Sequence, residues 1–151
     1  MNLLPFNQVA GDADRLASFS CSTGRDFEDE VESWIRFNAQ EWLTDGPRAA
    51  FQRRELALVV VGKQPVAVVA WQDIIRVDIQ GVWLEVLAVS LGSQRSGMGR
   101  DVYRLLVEHL ATIDRDGDHL AGLVHEENHR SKRLLGEFGW AGVAPMDDYE
   151  L

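Results

Sequence analysis

The feature that most constrains this chain is a pair of runs rich in β-branched residues, Leu56–Val61 and Val66–Ile74, joined by Gly62-Lys63-Gln64-Pro65. Branching at Cβ stiffens a side chain and favours extended backbone. Two such runs around a short glycine- and proline-bearing break read as a β-hairpin. The flanking segments supply what must cover it. From Asp26 to Thr44, Phe27, Val31, Trp34, Ile35 and Trp42 recur at the spacing of an amphipathic helix, ended by Asp45-Gly46-Pro47. A third strand is expected at Val82–Val89, after Gly81. Beyond Gly97 and Gly99, the residues Val102, Leu105, Leu106, Leu110 and Ile113 mark a helix that stops at Asp116-Gly117. Leu120–Val124 reads as a short strand, and a second helix runs from about Asn128 to Phe138, ended by Gly139. Trp140–Leu151 leaves room for one strand and a tail. A hairpin feeding strand, helix, strand, helix predicts an α/β (α+β) domain whose sheet passes from antiparallel to parallel. A length of 151 residues suits one domain over 1–151 with a real core.

Composition narrows the class. Asp and Glu outnumber Lys and Arg 24 to 15, for a formal charge of −9. Broad contact with nucleic acid, which rests on neutralising phosphates, is therefore not expected; a cationic acceptor such as an amine would suit the charge, which otherwise only maintains solubility. No run reaches the roughly 20 apolar residues of a membrane helix. The opening MNLLPFNQVAGDAD lacks the basic start and apolar length of a secretion signal. The single cysteine, Cys21, excludes an internal disulfide framework and suits a reducing cytoplasm. Oligomeric state is left open, a homodimer included.

Two short patterns invite metal readings. His125-Glu126-Glu127-Asn128-His129 fits H-E-x-x-H, which binds zinc when both histidines share one helical face. Here His125 falls at the end of an expected strand, and Asn128, a favoured cap, opens the helix after it. The two histidines are then expected on either side of a strand-to-helix corner. Asp114-Arg115-Asp116-Gly117-Asp118 places glycine at the fourth position, where a calcium loop requires it at the sixth. No metal is expected.

The segment that carries chemistry runs from Leu84 to Arg100: a strand ending in Glu85-Val86-Leu87-Ala88-Val89, then Gln94-Arg95-Ser96-Gly97-Met98-Gly99-Arg100 leading into a helix. Amides at a helix N-terminus are unpaired donors, and the helix dipole adds positive charge. Gly97 and Gly99 permit close backbone approach, as a pyrophosphate requires, and Arg95 and Arg100 can add charge-assisted contacts. An ordinary strand-to-helix turn is the competing reading.

This string resembles the acyl-CoA-binding motif Q/R-x-x-G-x-G/A of the GNAT superfamily of N-acetyltransferases. Asn128-x-x-Ser131-x-x-Leu134-Leu135-x-x-x-Gly139-Trp140 resembles its second motif, N-x-x-A/S-x-x-L-Y-x-x-x-G-F. The resemblance implies a mixed, splayed central sheet flanked by helices, acetyl-CoA as co-substrate, and transfer to a primary amine of a small molecule or protein. It assigns Leu87, Ala88 and Val89 to the pantetheine arm and thioester carbonyl, and the amides from Gln94 to Gly99 to the pyrophosphate. Asn128 is assigned to the pantetheine, beside its role as a helix cap. Ser131 lies one turn before Leu135 and could approach the sulfur, or simply pack. Glu85 is the candidate base, since strand alternation would place it on one face with Leu87 and Val89; an exposed glutamate or salt-bridge partner is the other reading. Leu135 stands where the family often has a tyrosine acid. Water, Tyr149, or a protein that binds acyl-CoA without efficient turnover are the ways to accommodate it. Arg130, Lys132 and Arg133 could meet the ribose phosphate or form a solvated helix face.

Overall fold

The computed structural model describes residues 1–5, 12–45, 54–75, 80–112, 119–142, 145–146 and 149–150. The central hairpin is as expected, with strands β2 (Arg54–Val61) and β3 (Gln64–Ile75). Its turn is tighter than the sequence suggested: Gln64 and Pro65 already pair with Val61 and Val60, leaving Gly62 and Lys63 as the bend. Strand β1 (Asn2–Pro5), which no sequence signal announced, adds antiparallel to β2. Strand β4 (Gln80–Val89) adds antiparallel to β3, and β5 (His119–Gly122) joins β4 in parallel. The result is a mixed five-stranded sheet in the order β1-β2-β3-β4-β5.

Two corrections concern the C-terminal third. The apolar run Leu120–Val124 is not one strand. It breaks at Leu123, and β6 (Val124–His125) leaves for a second sheet of order β6-β8-β7. That sheet is completed by β7 (Pro145–Met146) and β8 (Tyr149–Glu150), so the tail forms a minimal hairpin in place of a single strand. The expected helix ends at Gly46-Pro47 and Asp116-Gly117, the residue Ile113 and the 114–118 acidic string lie outside the described residues.

Period-two alternation divides the core between the faces of the large sheet. On one face Leu56, Leu58, Val68, Ala70, Val86 and Ala88 pack beneath α1 (Asp12–Ala17) and α2 (Asp26–Asp45), meeting Leu16 and Ile35. On the other, Ala57, Val59, Val69, Trp71, Val82 and Leu84 meet Val102, Leu106 and Leu110 of α3 (Met98–Thr112). Helix α2 opens with Asp26, Glu28 and Asp29, acids that favour the positive end of the helix dipole. Helix α4 (His129–Glu137) lies beside α3: Tyr103 rests 4.4 Å from Phe138, and its hydroxyl accepts a 2.7 Å hydrogen bond from Trp140 Nε1. Gly81 marks how closely β5 approaches β4, because a Cβ there would fall 2.0 Å from the His119 carbonyl oxygen.

Candidate active site

Strand β5 accompanies β4 only from Gly81 to Leu84. Beyond that point β4 runs on to Val89 paired with β3, while the chain after Gly122 turns away into β6. This parting opens a cleft of about 600 Å³. Leu87, Ala88 and Val89 form its floor. Gln94, Arg95 and Gly97 close one end together with Met98, Gly99 and Arg100 at the start of α3. Asn128 and Ser131 of α4 line one wall. The segment between α1 and α2, with Cys21, Thr23 and Arg25, lines the other together with Phe27, Glu28 and Val31 of α2.

The corner between β4 and α3 is built to expose main-chain donors. A 3-10 turn at Leu91–Ser93 leads into it. Arg95 and Gly97 then take left-handed conformations, with φ of 65° and 78°. Left-handed residues alternating with ordinary ones turn successive amides toward a common centre, a concave arrangement suited to an anion. Among the described residues, the amides of Arg95, Ser96 and Gly97 donate to no backbone or side-chain acceptor; the helical ladder starts with Asp101 donating to the Gly97 carbonyl at 3.2 Å. The amides of Met98, Gly99 and Arg100 belong to the first turn of α3, where no carbonyl of the helix can reach them. A Cβ on Gly97 would meet nothing within 4 Å, so the space before this corner is open.

The charge of the lining opposes that of the chain. Arg25, Arg95, Arg100, Arg130 and Arg133 face the cleft against Glu28 and Glu137, a local positive surplus in a chain of net charge −9. Arg100 is not a free cation, since both its Nε, at 3.2 Å, and one terminal nitrogen donate to Glu137. The opposite wall is held by α2. Glu32 accepts from the amides of Cys21 at 2.9 Å and Ser22 at 3.0 Å, and pairs with Arg36 at 3.0 Å. The amides of Ser22 and Cys21 hold the Glu32 carboxyl below its ordinary range. Burial first, then Glu32 and Glu28, push the Cys21 thiol up to about 11, so it stays protonated and unreactive near neutrality.

No protein-family model matches this sequence, and no curated protein does. Solved structures match over nearly the whole chain. A Desulfovibrio desulfuricans protein assigned to the GNAT family of acetyltransferases superposes with a TM-score of 0.71 at 14% identity, covering 99% of this chain and 94% of that one. An acetyltransferase from Thermus thermophilus gives 0.64 at 18% identity over 99% and 94%. An aminoglycoside 6'-N-acetyltransferase from Acinetobacter haemolyticus gives 0.63 at 13% identity over 97% and 94%. The chain has the GNAT fold. At these identities, what is shared is the architecture.

On this GNAT framework every cofactor-binding candidate read from the sequence lines the cleft except Lys132 and Ser96, the latter with its hydroxyl donating to the Ser93 carbonyl at 2.7 Å and bracing the turn. Glu85 does not line it either. It sits at a bulge: Ala70 pairs with Val86 and Trp71 with Leu84, leaving Glu85 as the extra residue of β4. The bulge shifts the alternation by one. Leu84 and Leu87 consequently pack on the α3 side, and Val86 and Ala88 on the α1–α2 side. Alternation is regular from Val86 to Val89, so the break falls beside Glu85, between Leu84 and Val86. Asn128 lines the cleft and caps α4, its Oδ1 accepting from the Ser131 amide at 3.1 Å. Leu134 lines the cleft and Leu135 does not.

The H-E-x-x-H string divides as expected. His125 ends β6, its ring stacked 4.7 Å from that of Phe27, whereas His129 begins α4. Among the described residues no group of three or more potential ligands is arranged to hold a metal. Sequence reasoning missed the wall from Cys21 to Val31 and the acid Glu137; neither belongs to a motif, and both are brought in by long-range packing.

Proposed function

We propose that the chain is an N-acyltransferase, moving an acetyl (acyl) group from acetyl-CoA to a primary amine of a small molecule or protein by direct attack. The observation that supports this most is the cleft itself: unsatisfied amides and a surplus of arginines beside the bare edge of β4, in an acidic chain with the GNAT fold. A diphosphate matches that donor set. An extended amide-bearing arm matches the main-chain groups along Leu87, Ala88 and Val89 on the side β5 has left, apart from the Val89 carbonyl, which already accepts from Gln94 Nε2 at 3.0 Å.

Acetyl-CoA supplies an activated thioester carbonyl, and the remaining work falls to this chain. The acceptor must lose a proton before it attacks. Glu85, partly buried in β4 next to the floor, is the group assigned to that proton, directly or through water. Main-chain donors of the floor stabilise the oxyanion. Leu135 has no proton to give the departing sulfur, so water or the Ser131 hydroxyl on the same wall takes that part. The single cysteine suits a cytoplasmic setting, and among the described residues no helix is long and apolar enough to cross a membrane.

A second reading, a non-catalytic acyl-CoA-binding module, draws on two observations: leucine at position 135 and the absence of Glu85 from the cleft lining. Calorimetric titration with coenzyme A, followed by a thiol-release assay over a panel of amines, separates the two. Micromolar binding with release for at least one amine is the expected result. Binding without release across the panel favours the module, and no binding sinks both readings. Glu85→Gln should lower turnover roughly a hundredfold with coenzyme A affinity unchanged. Undiminished turnover at neutral pH removes Glu85 from the mechanism.

A further inference from the structure

The segment between α1 and α2 forms part of one wall of the cleft, yet Phe19–Ser22 contains no regular secondary structure. Something else must fix its place. On one side it is held by α2 through Glu32. On the other it reaches the β4–α3 corner at two points: the Leu91 amide donates to the Ser20 carbonyl at 2.9 Å, and Gln94 Nε2 donates to the Cys21 carbonyl at 2.7 Å. The same nitrogen donates to the Val89 carbonyl at 3.0 Å. Both neighbours are carbonyl acceptors, so only the amino side of the carboxamide can face them, and its two hydrogens are both used.

We infer that the Gln94 side chain is a positioning residue: it ties the α1–α2 wall to the last residue of β4, so that the wall and the diphosphate corner form one preorganised unit. The inference rests on the acyl-CoA reading for its consequence, though not for its geometry. Gln94 contributes its backbone to the corner and directs its side chain away from any ligand, into the protein. Losing the carboxamide strands two partly buried carbonyls and frees the wall on the pantetheine side, while the amides of Arg95–Gly97 remain in place. A ligand with a pantetheine arm should therefore lose more than one that ends at the phosphates.

The test uses the full chain with Gln94→Leu, and with Gln94→Asn, one methylene too short to span both carbonyls, in case the first does not fold. Hydrogen exchange at the Leu91, Cys21 and Ser22 amides is read against β2 and β3 as internal controls. Coenzyme A and adenosine 3',5'-bisphosphate are titrated in parallel. Exchange at the three amides should quicken at least tenfold with the controls unchanged. Coenzyme A should weaken at least tenfold, and the bisphosphate less than threefold. Unchanged exchange in a folded variant, or equal losses for the two ligands, overturns the inference. Failure of the wild-type protein to bind coenzyme A would instead sink the acyl-CoA reading and leave the exchange measurement to judge the tie alone.

Discussion

Gly97 is the residue at which backbone and ligand requirements meet. Its φ of 78° strains any L side chain, but the space its Cβ would occupy is open. Gly97→Ala isolates the strain, on the order of 1 kcal/mol, and should cost little binding. Gly97→Glu adds a carboxylate before the diphosphate corner, and juxtaposed like charges cost several kcal/mol. Coenzyme A affinity should fall at least about a hundredfold in the glutamate variant, with a melting temperature close to that of the alanine variant; comparable affinity in the two would count against the corner as the phosphate site. Glu137 works in the opposite direction. It pairs with Arg100, so Glu137→Gln should release that arginine and tighten coenzyme A roughly threefold at low salt, the scale of an exposed ion pair. The gain should vanish as salt is raised.

At the scale of elements, the hydrogen bonds that α2 makes to the preceding segment imply a dependence on pH. The Glu32 carboxyl is held below its ordinary value of 4.5 by the amides of Ser22 and Cys21. A group with a depressed folded pKa stabilises fully above its unfolded value, and that stabilisation is lost as pH falls through the folded one. Thermal unfolding followed from pH 7 downwards should show the wild type losing stability below about 4.5 more steeply than Glu32→Gln. At neutral pH that variant should melt about 2–4 °C lower. Parallel curves would remove Glu32 from the acid transition. The Cys21 thiol has the opposite sign: its folded value near 11 lies above the ordinary 9.0, so the stability it contributes is complete below 9.0 and lost between the two.

Elements also differed in how legible they were. The hairpin, α2, α3 and α4 could be read because their periodicities and caps are local; Asn128 announced the start of α4, and its side chain does cap the Ser131 amide. The division of Leu120–Val124 could not be read, because an apolar run looks the same whether it pairs with one sheet or passes between two. The bulge at Glu85 was equally hidden, being a mismatch between partners far apart in sequence.

For the whole molecule, stability rests on the two faces of the large sheet. Leu106 is fully buried under the α3 side. Leu106→Ala should cost roughly 2–5 kcal/mol, read as a lower urea midpoint with an unchanged slope. A change of less than about 1 kcal/mol would mean that the α3 face is loosely packed. The sequence by itself determined the hairpin, the helices α2, α3 and α4, the cap of α4 and the glycine-bearing corner, since each depends on residues within a few positions of one another. Only the tertiary structure decided where β5 leaves β4, that Cys21–Val31 should wall the resulting cleft, and that Glu137 should neutralise Arg100. Those features depend on which distant surfaces pack together, and no local pattern of side chains encodes that choice.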